Sequence, residues 1–278
     1  MPHRKNDYSN ITIVWDHNGT LINPIYNNIN FNNFISHIAE QYENKNLLEY
    51  QVDPEAIFDK LVKPELRRIY KENNLSLEEF DRDWLAFRDK IGVDQYTFKI
   101  LHDSIETLRK YGELGIEQIL VSNTDRNVVE AQHEELKNGN NLSTNYKIIA
   151  FEPLENEASD AKRERRENFK YEEFAKIIEE KSGNKLRNKL VFIGDAKSDF
   201  DSVLKAAEKV VESEKKIPDI EIIIINKDTA VKDKIQEAFN AISTSNPLEK
   251  KVKLTLIDTH VEISAAIGKR IGNGVIKS

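Results

Sequence analysis

The sequence predicts an α/β protein, a doubly wound parallel sheet with a helical domain inserted near its start. Three observations carry that expectation. Of six short apolar runs, most are continuously apolar rather than alternating, as strands covered on both faces are. Helical periodicities lie between several of them, and strand alternating with helix marks a parallel sheet. Polar residues able to do chemistry fall at the ends of the runs, where open α/β sheets bind ligands.

In chain order the predicted strands are "ITIVW" (Ile11 to Trp15), "QILVS" (Gln118 to Ser122), "KIIAF" (Lys147 to Phe151), "LVFIG" (Leu190 to Gly194), "EIIII" (Glu221 to Ile225) and "VKLTLI" (Val252 to Ile257). Helices are expected over Tyr171 to Lys181, with Phe174, Ile177 and Ile178 on one face, and over Phe200 to Glu212. Between the first and second strands lies a long interval with helical signals and no convincing strand. Phe31, Phe34, Ile35, Ile38 and Tyr42 form one apolar stripe, and Trp84, Phe87 and Ile91 continue a second. "DPEAIFDKLV" begins with an N-cap acid and a proline at the first helical position, and Ser76 with Glu79 makes a capping box. The expected division is a core of residues 1–22 and 105–278 and a helical insert of residues 23–104, set over the carboxyl edge of the sheet.

Composition narrows the function. A chain of 278 residues, 39% apolar, can bury a sizeable core. A net charge of −7 argues against nucleic acid or an anionic membrane as partner, because both need a basic face. Small molecules and proteins remain. The basic run "KRERR", Lys162 to Arg166, has acids on both sides and reads as a solvated loop or helix start. No cysteine is present, so there is no disulfide framework and no thiolate metal site. The first ten residues lack the apolar centre of a signal peptide, and "IIII" is too short to span a bilayer, so a cytoplasmic protein is expected.

The polar strand ends are Asp16 and Asn18 after the first strand, Ser122 and Asn123 at the end of the second, and Asp195 and Asp199 after the fourth; Lys170 opens the helix leading into the fourth. These residues resemble the four signature motifs of the haloacid dehalogenase-like (HAD) superfamily. "DHNGTL" matches the first motif, an aspartate, any residue, a second aspartate and Gly-Thr-Leu, except at Asn18. "ILVSN" matches the second, Lys170 lies 25 residues before Asp195 as the third requires, and "GDAKSD" matches the fourth. The resemblance runs in order from Ile11 to Ala207, and the insert sits where members of the C1 class carry a cap.

The chemistry follows from the residue types. A carboxylate on a tight turn, Asp16 beside Gly19 and Thr20, can attack phosphorus and form an aspartyl-phosphate. Asp195 and Asp16 offer the hard oxygen ligands that Mg²⁺ prefers, with Asp199 as a direct or water-mediated support. The resemblance adds the backbone carbonyl of Asn18 as a further ligand. Ser122, with Asn123 beside it, supplies a hydroxyl donor and Lys170 a fixed positive charge for the phosphoryl oxygens. His17 is expected on the opposite side of the strand end, with no catalytic role, and His260 is read as structural. Arg67, Arg68, Arg82 and Arg88 could meet an anionic substrate, though most of them are read as solvated faces of the insert's helices.

Asn18 is the departure. In the family's phosphatases the aspartate at this position protonates the leaving oxygen and then activates water, help worth roughly a hundred- to ten-thousandfold. An amide can hold that oxygen but cannot transfer a proton. The expected function is therefore a Mg²⁺-dependent phosphomonoester hydrolase acting on a small phosphorylated molecule. The alternatives are a phosphotransferase with a persistent phospho-aspartate, and a catalytically weak phosphate-binding or regulatory protein that engages a protein partner through its cap.

Overall fold

The structure is a computed structural model; it describes residues 8, 10–25, 28–43, 45–49, 63–76, 78, 79, 82, 83, 87, 97–140, 146–154, 159–182, 188–213, 215–242 and 248–271. The chain divides into two compact units, Met1–Leu21 with Leu101–Ser278, and Ile22–Ile100. The second boundary falls at Leu101, whose N–H donates to the Leu21 carbonyl at 3.1 Å, rather than at 105, because His102 already opens the next helix of the larger unit.

The larger unit contains a six-stranded parallel sheet formed by β1 (Ile11–Trp15), β4 (Glu117–Asp125), β5 (Lys147–Phe151), β6 (Lys189–Gly194), β7 (Asp219–Ile225) and β8 (Val252–Ile257). Its order is β5-β4-β1-β6-β7-β8. After β1 the chain builds outward through β4 and β5, then crosses to the other side of β1 to build β6, β7 and β8. Strand order thus reverses at β1, and the crevice at its carboxyl end is the place such sheets reserve for a ligand.

Helices α3 (His102–Glu113), α4 (Arg126–Asn140), α5 (Ser159–Ser182), α6 (Lys197–Glu212), α7 (Thr229–Asn240) and α8 (Ile263–Ile271) complete this unit. Phe174, Ile177 and Ile178 of α5 and Phe200, Val203 and Val210 of α6 bury against Val14, Val121, Phe192 and Ile222. The expected apolar stripe of α5 is therefore the face that meets the sheet. On α3, Tyr111 donates to the Ser264 carbonyl of α8 at 3.0 Å. Trp15 donates to Gln118 at 2.9 Å, and Gln118 donates to the Leu108 carbonyl at 2.8 Å, so β1, β4 and α3 are locked by one buried chain of hydrogen bonds. No helix among the described residues is long and apolar enough to cross a membrane.

Two expectations for helices need correction. Helix α5 begins at Ser159, so Lys170 lies in its interior instead of opening it. The run Lys162 to Arg166 forms its early turns, and two of its arginines are not simply solvated. Arg166 pairs with Asp125 at 2.5 Å, Arg165 donates to the Glu152 carbonyl at 2.7 Å, and both guanidinium groups lie over the Phe151 ring. The sheet end β4–β5 captures this turn of helix through charge and cation–π contacts.

The smaller unit is helical but carries a ladder that the sequence did not signal. β2 (Ile22–Ile25) pairs antiparallel with β3 (Thr97–Ile100), Ile22 opposite Ile100. Each strand has four residues, and Pro24 is tolerated because among the described residues neither strand has a second neighbour that needs its missing N–H. In α1 (Asn28–Gln41), Phe34, Ile35 and Ile38 are buried, and Ile69 and Tyr70 of α2 (Lys63–Glu72), with Leu47 and Phe87, are buried too. Ser76 and Glu79 form the expected reciprocal cap, at 2.6 and 3.1 Å. Trp84, Arg88, Ile91 and the segment 53–62 lie outside the described residues, as does the side chain of Phe31. Arg67, Arg68 and Arg82 are exposed.

The polar centre of this unit is Asp83, 3% exposed, which accepts from Tyr42 at 2.6 Å, Tyr70 at 3.1 Å, Gln41 at 3.3 Å and Arg82 at 3.2 Å. Replacing Asp83 by Ala leaves the fully buried Tyr70 hydroxyl without this acceptor, a loss of about 1–3 kcal/mol. The expected result is faster amide exchange in α2, with exchange in β1 and β6 unchanged.

Candidate active site

The site is built where β1, β4 and β6 end together. Asp16 N–H donates to the Ile193 carbonyl at 2.8 Å, which carries the β1–β6 pairing one residue past the strand and fixes the Asp16 backbone. The chain then turns, closed by Leu21 N–H on the His17 carbonyl at 2.9 Å. Gly19 sits at φ +80°, and a Cβ there would lie 2.2 Å from Asp195 Oδ2. Glycine is required twice over, for the left-handed backbone and for the approach of the acid. A second close approach occurs at Gly194, where a Cβ would lie 2.6 Å from Asp199 Oδ2.

Asp199 stands in the first turn of α6 and accepts from the backbone N–H groups of Asp195 at 3.2 Å and Ala196 at 3.0 Å, holding the loop after β6. Its other oxygen takes a hydrogen bond from Lys170 Nζ at 2.7 Å, and the same ammonium donates to Asp16 Oδ1 at 2.6 Å. Lys170 is only 12% exposed. Asp16, Asp195 and Asp199 each offer a carboxylate oxygen, and these lie within 4.8 Å of one another.

Three carboxylates share one ammonium here, and the electrostatics show it. Burial pushes the Asp16 carboxyl up to about 6 against the pull of Lys170, and Asp199 adds to the rise. Burial, with the charges of Asp16 and Asp199, holds Asp195 well above the usual carboxylate range. Burial disfavours the Lys170 ammonium, but Asp16 and Asp199 outweigh it and hold Lys170 above its ordinary value. The residual negative charge and the all-oxygen donor set fit a hard divalent cation such as Mg²⁺.

The other predicted residues lie along the end of β4 and the turn after β1. Ser122 is buried and accepts from Thr124 N–H at 3.1 Å, which leaves its own proton free to donate. Asn123 is half-buried, and its side-chain oxygen has no partner among the described residues. Thr20 is fully buried, its hydroxyl likewise without a partner among them. Asn18 donates from Nδ2 to Thr124 Oγ1 at 2.9 Å, so its side chain faces the end of β4.

His17 is fully buried with its ring 5.2 Å from that of His133 on α4. Sequence reasoning missed Thr124, Arg166 with Asp125, and Asn226, which donates to the Asp195 carbonyl at 2.8 Å. It also gave His260 no contact with the site, yet Nε2 of His260 lies 2.9 Å from the Gly19 carbonyl oxygen. The Asn226 and His260 contacts join residues 31 and 241 positions apart, and no local pattern announces them.

No protein-family model matches the chain, and no curated protein does. Solved structures similar to it include a HAD family hydrolase from Deinococcus radiodurans R1 with bound phosphate and sodium (12% identity, 95% of this chain and 97% of that one, TM-score 0.46). They also include a HAD-superfamily hydrolase from Ehrlichia chaffeensis (16% identity, 84% of this chain and 97% of that one, TM-score 0.38).

The histidine pair generates a test of the electrostatics behind the site. Burial, and to a lesser degree Lys137, lowers His133 from 6.5 to about 4, and His17 is lowered well below its ordinary value by burial and then by His133. His133 faces His17, Lys137 and the Tyr146 hydroxyl. Between pH 6.5 and 4 the unfolded chain binds a proton at this residue that the folded chain does not, so stability falls as pH falls. From pH 7 to pH 5 the loss is about 2 kcal/mol. Urea unfolding at both pH values is expected to show that loss reduced by this amount in His133→Phe.

Proposed function

We propose that the protein is a Mg²⁺-dependent phosphomonoester hydrolase that works through an aspartyl-phosphate on Asp16. The observation that carries this reading is the buried ammonium of Lys170, 2.6 Å from Asp16 and 2.7 Å from Asp199, in a centre of three carboxylates. An anionic nucleophile can meet an anionic substrate only where the charge of both is compensated, and the centre has cationic and hydrogen-bonding groups arranged around Asp16.

Asp16 attacks phosphorus, the bond from phosphorus to the ester oxygen breaks, and the leaving oxygen takes a proton from solvent. Water then attacks the acyl phosphate, releasing inorganic phosphate and regenerating the carboxylate. Lys170 and the Ser122 hydroxyl stabilise the phosphoryl oxygens, and Gly19, Thr20 and Asn123 complete the cradle around them. Asp16, Asp195 and the Asn18 carbonyl would hold Mg²⁺, which supplies charge neutralisation between nucleophile and phosphate. Asp199, whose oxygens already accept from Lys170, Asp195 N–H and Ala196 N–H, acts by holding that arrangement. The substrate is a small phosphorylated molecule, and the helical insert is the part of the chain assigned to choosing it or to engaging a protein partner.

Asn18 favours a second reading. Its amide is tied to Thr124, and an amide provides no proton for the leaving oxygen and no base for the water. Slow loss of phosphate from Asp16 would make the protein a phosphotransferase or a phosphate-responsive regulator.

A panel of phosphate esters, assayed with Mg²⁺ and again after chelation, tests the first reading; activity that vanishes on chelation is expected. In the same panel Asn18→Asp is expected to raise turnover by roughly a hundredfold or more, most for esters with poor leaving groups. If that variant is no faster on any ester the protein binds, Asn18 is not a missing acid–base group, and the catalytically weak phosphate-binding or regulatory protein becomes the better reading.

A further inference from the structure

Each of the two turns that form the site is held from outside by a side chain that the proposed chemistry leaves unused. The Gly19 carbonyl lies 2.9 Å from Nε2 of His260. A carbonyl can only accept, so the imidazole donates and carries its proton on Nε2. The Asp195 carbonyl accepts from Nδ2 of Asn226 at 2.8 Å. Between these two anchor points the turns touch, since a Cβ on Gly19 would lie 2.2–2.6 Å from the Asp195 carboxylate atoms. Movement of either carbonyl therefore alters the separation of Asp16, three residues before Gly19, from Asp195.

Both anchors are themselves fixed. Asn226 N–H donates to the Ile257 carbonyl at 2.9 Å, joining the ends of β7 and β8, and Asn226 Oδ1 accepts from Asp228 N–H at 2.9 Å. His260 opens a short 3-10 turn, His260–Glu262, whose start is capped by Glu262 accepting from the Thr259 N–H and hydroxyl, each at 3.0 Å. The Asn226 side chain and the backbone that carries His260 are thus already held, a condition under which a supporting contact can position a ligand group rather than merely touch it.

We propose that His260 and Asn226 are positioning residues that set the spacing of the Asp16 and Asp195 carboxylates and through it the affinity for a divalent cation; this rests on the metal reading given above. Supporting contacts of this kind are typically worth ten- to hundredfold in metal affinity.

Mn²⁺ titrated into the full chain stripped of metal, with free Mn²⁺ followed by electron paramagnetic resonance, reads that affinity without any turnover. His260→Ala and Asn226→Ala are each expected to weaken Mn²⁺ binding about tenfold or more while the circular dichroism spectrum and melting curve show a folded chain at the titration temperature. His260→Gln, whose amide can donate to the same carbonyl, is expected to bind more tightly than His260→Ala. A folded His260→Ala that binds Mn²⁺ as the wild type does overturns the proposal, as does a Gln variant no better than the Ala variant. If His260→Ala does not fold, the Gln and Asn226→Ala variants decide. A wild-type chain that fails to bind Mn²⁺ overturns the metal reading itself and this inference with it.

Discussion

The buried ammonium of Lys170 is the constraint on which the rest of the site depends. It touches Asp16 and Asp199 while Asp195 stands beside them, so one positive charge is set against three carboxyl groups in a largely dehydrated space. Removing one partner from such a buried arrangement typically costs about 3–5 kcal/mol, because the charge left behind is uncompensated. Even with Lys170 in place, Asp16 remains raised to about 6 and Asp195 well above the usual range. The compensation is incomplete. A folded chain that concentrates carboxylates beyond what its own cation can balance would be stabilised by a hard cation bound there.

The sheet supplies the geometry for this concentration of charge. Because strand order reverses at β1, the ends of β4 and β6 flank the end of β1, and the turns after all three converge on one crevice. Gly19 and Gly194 let the acid-bearing turns approach to distances no side chain would permit. Lys170 reaches the same point from α5, whose apolar face is pinned to the sheet one and two turns further on by Phe174 and Ile177. One turn before Lys170, Arg166 ties the helix to Asp125 at the end of β4. Packing on one side and an ion pair on the other thus fix the ammonium.

Much of this was legible in the sequence for a specific reason. Strands such as Ile11–Trp15 and Lys189–Gly194 are buried parallel strands, and burial on both faces writes itself as a nearly unbroken apolar run. Asp16 and Asp195 were readable because each directly follows such a run, Ser122 because it ends one, and Asp199 because it lies four residues after Asp195. The antiparallel pair Ile22–Ile25 and Thr97–Ile100 was not, since each strand is four residues long and one contains Pro24. At the early turns of α5 the sequence left loop and helix start open because their charged residues show no apolar period; the helix there is held by contacts with Asp125, Glu152 and Phe151. The anchoring roles of Asn226 and His260 depend on backbone carbonyls, which carry no residue identity to read.

A covalent phosphate on Asp16 is the most direct mark of the proposed nucleophile. The protein is mixed with Mg²⁺ and an aryl phosphate, quenched in acid, which preserves acyl phosphates, and mapped by peptide mass spectrometry. The predicted result is a phosphorylated peptide containing Asp16, absent from Asp16→Asn and longer-lived than in Asn18→Asp. Hydrolysis of the ester with the phosphate on no peptide, or on one that lacks Asp16, would contradict it.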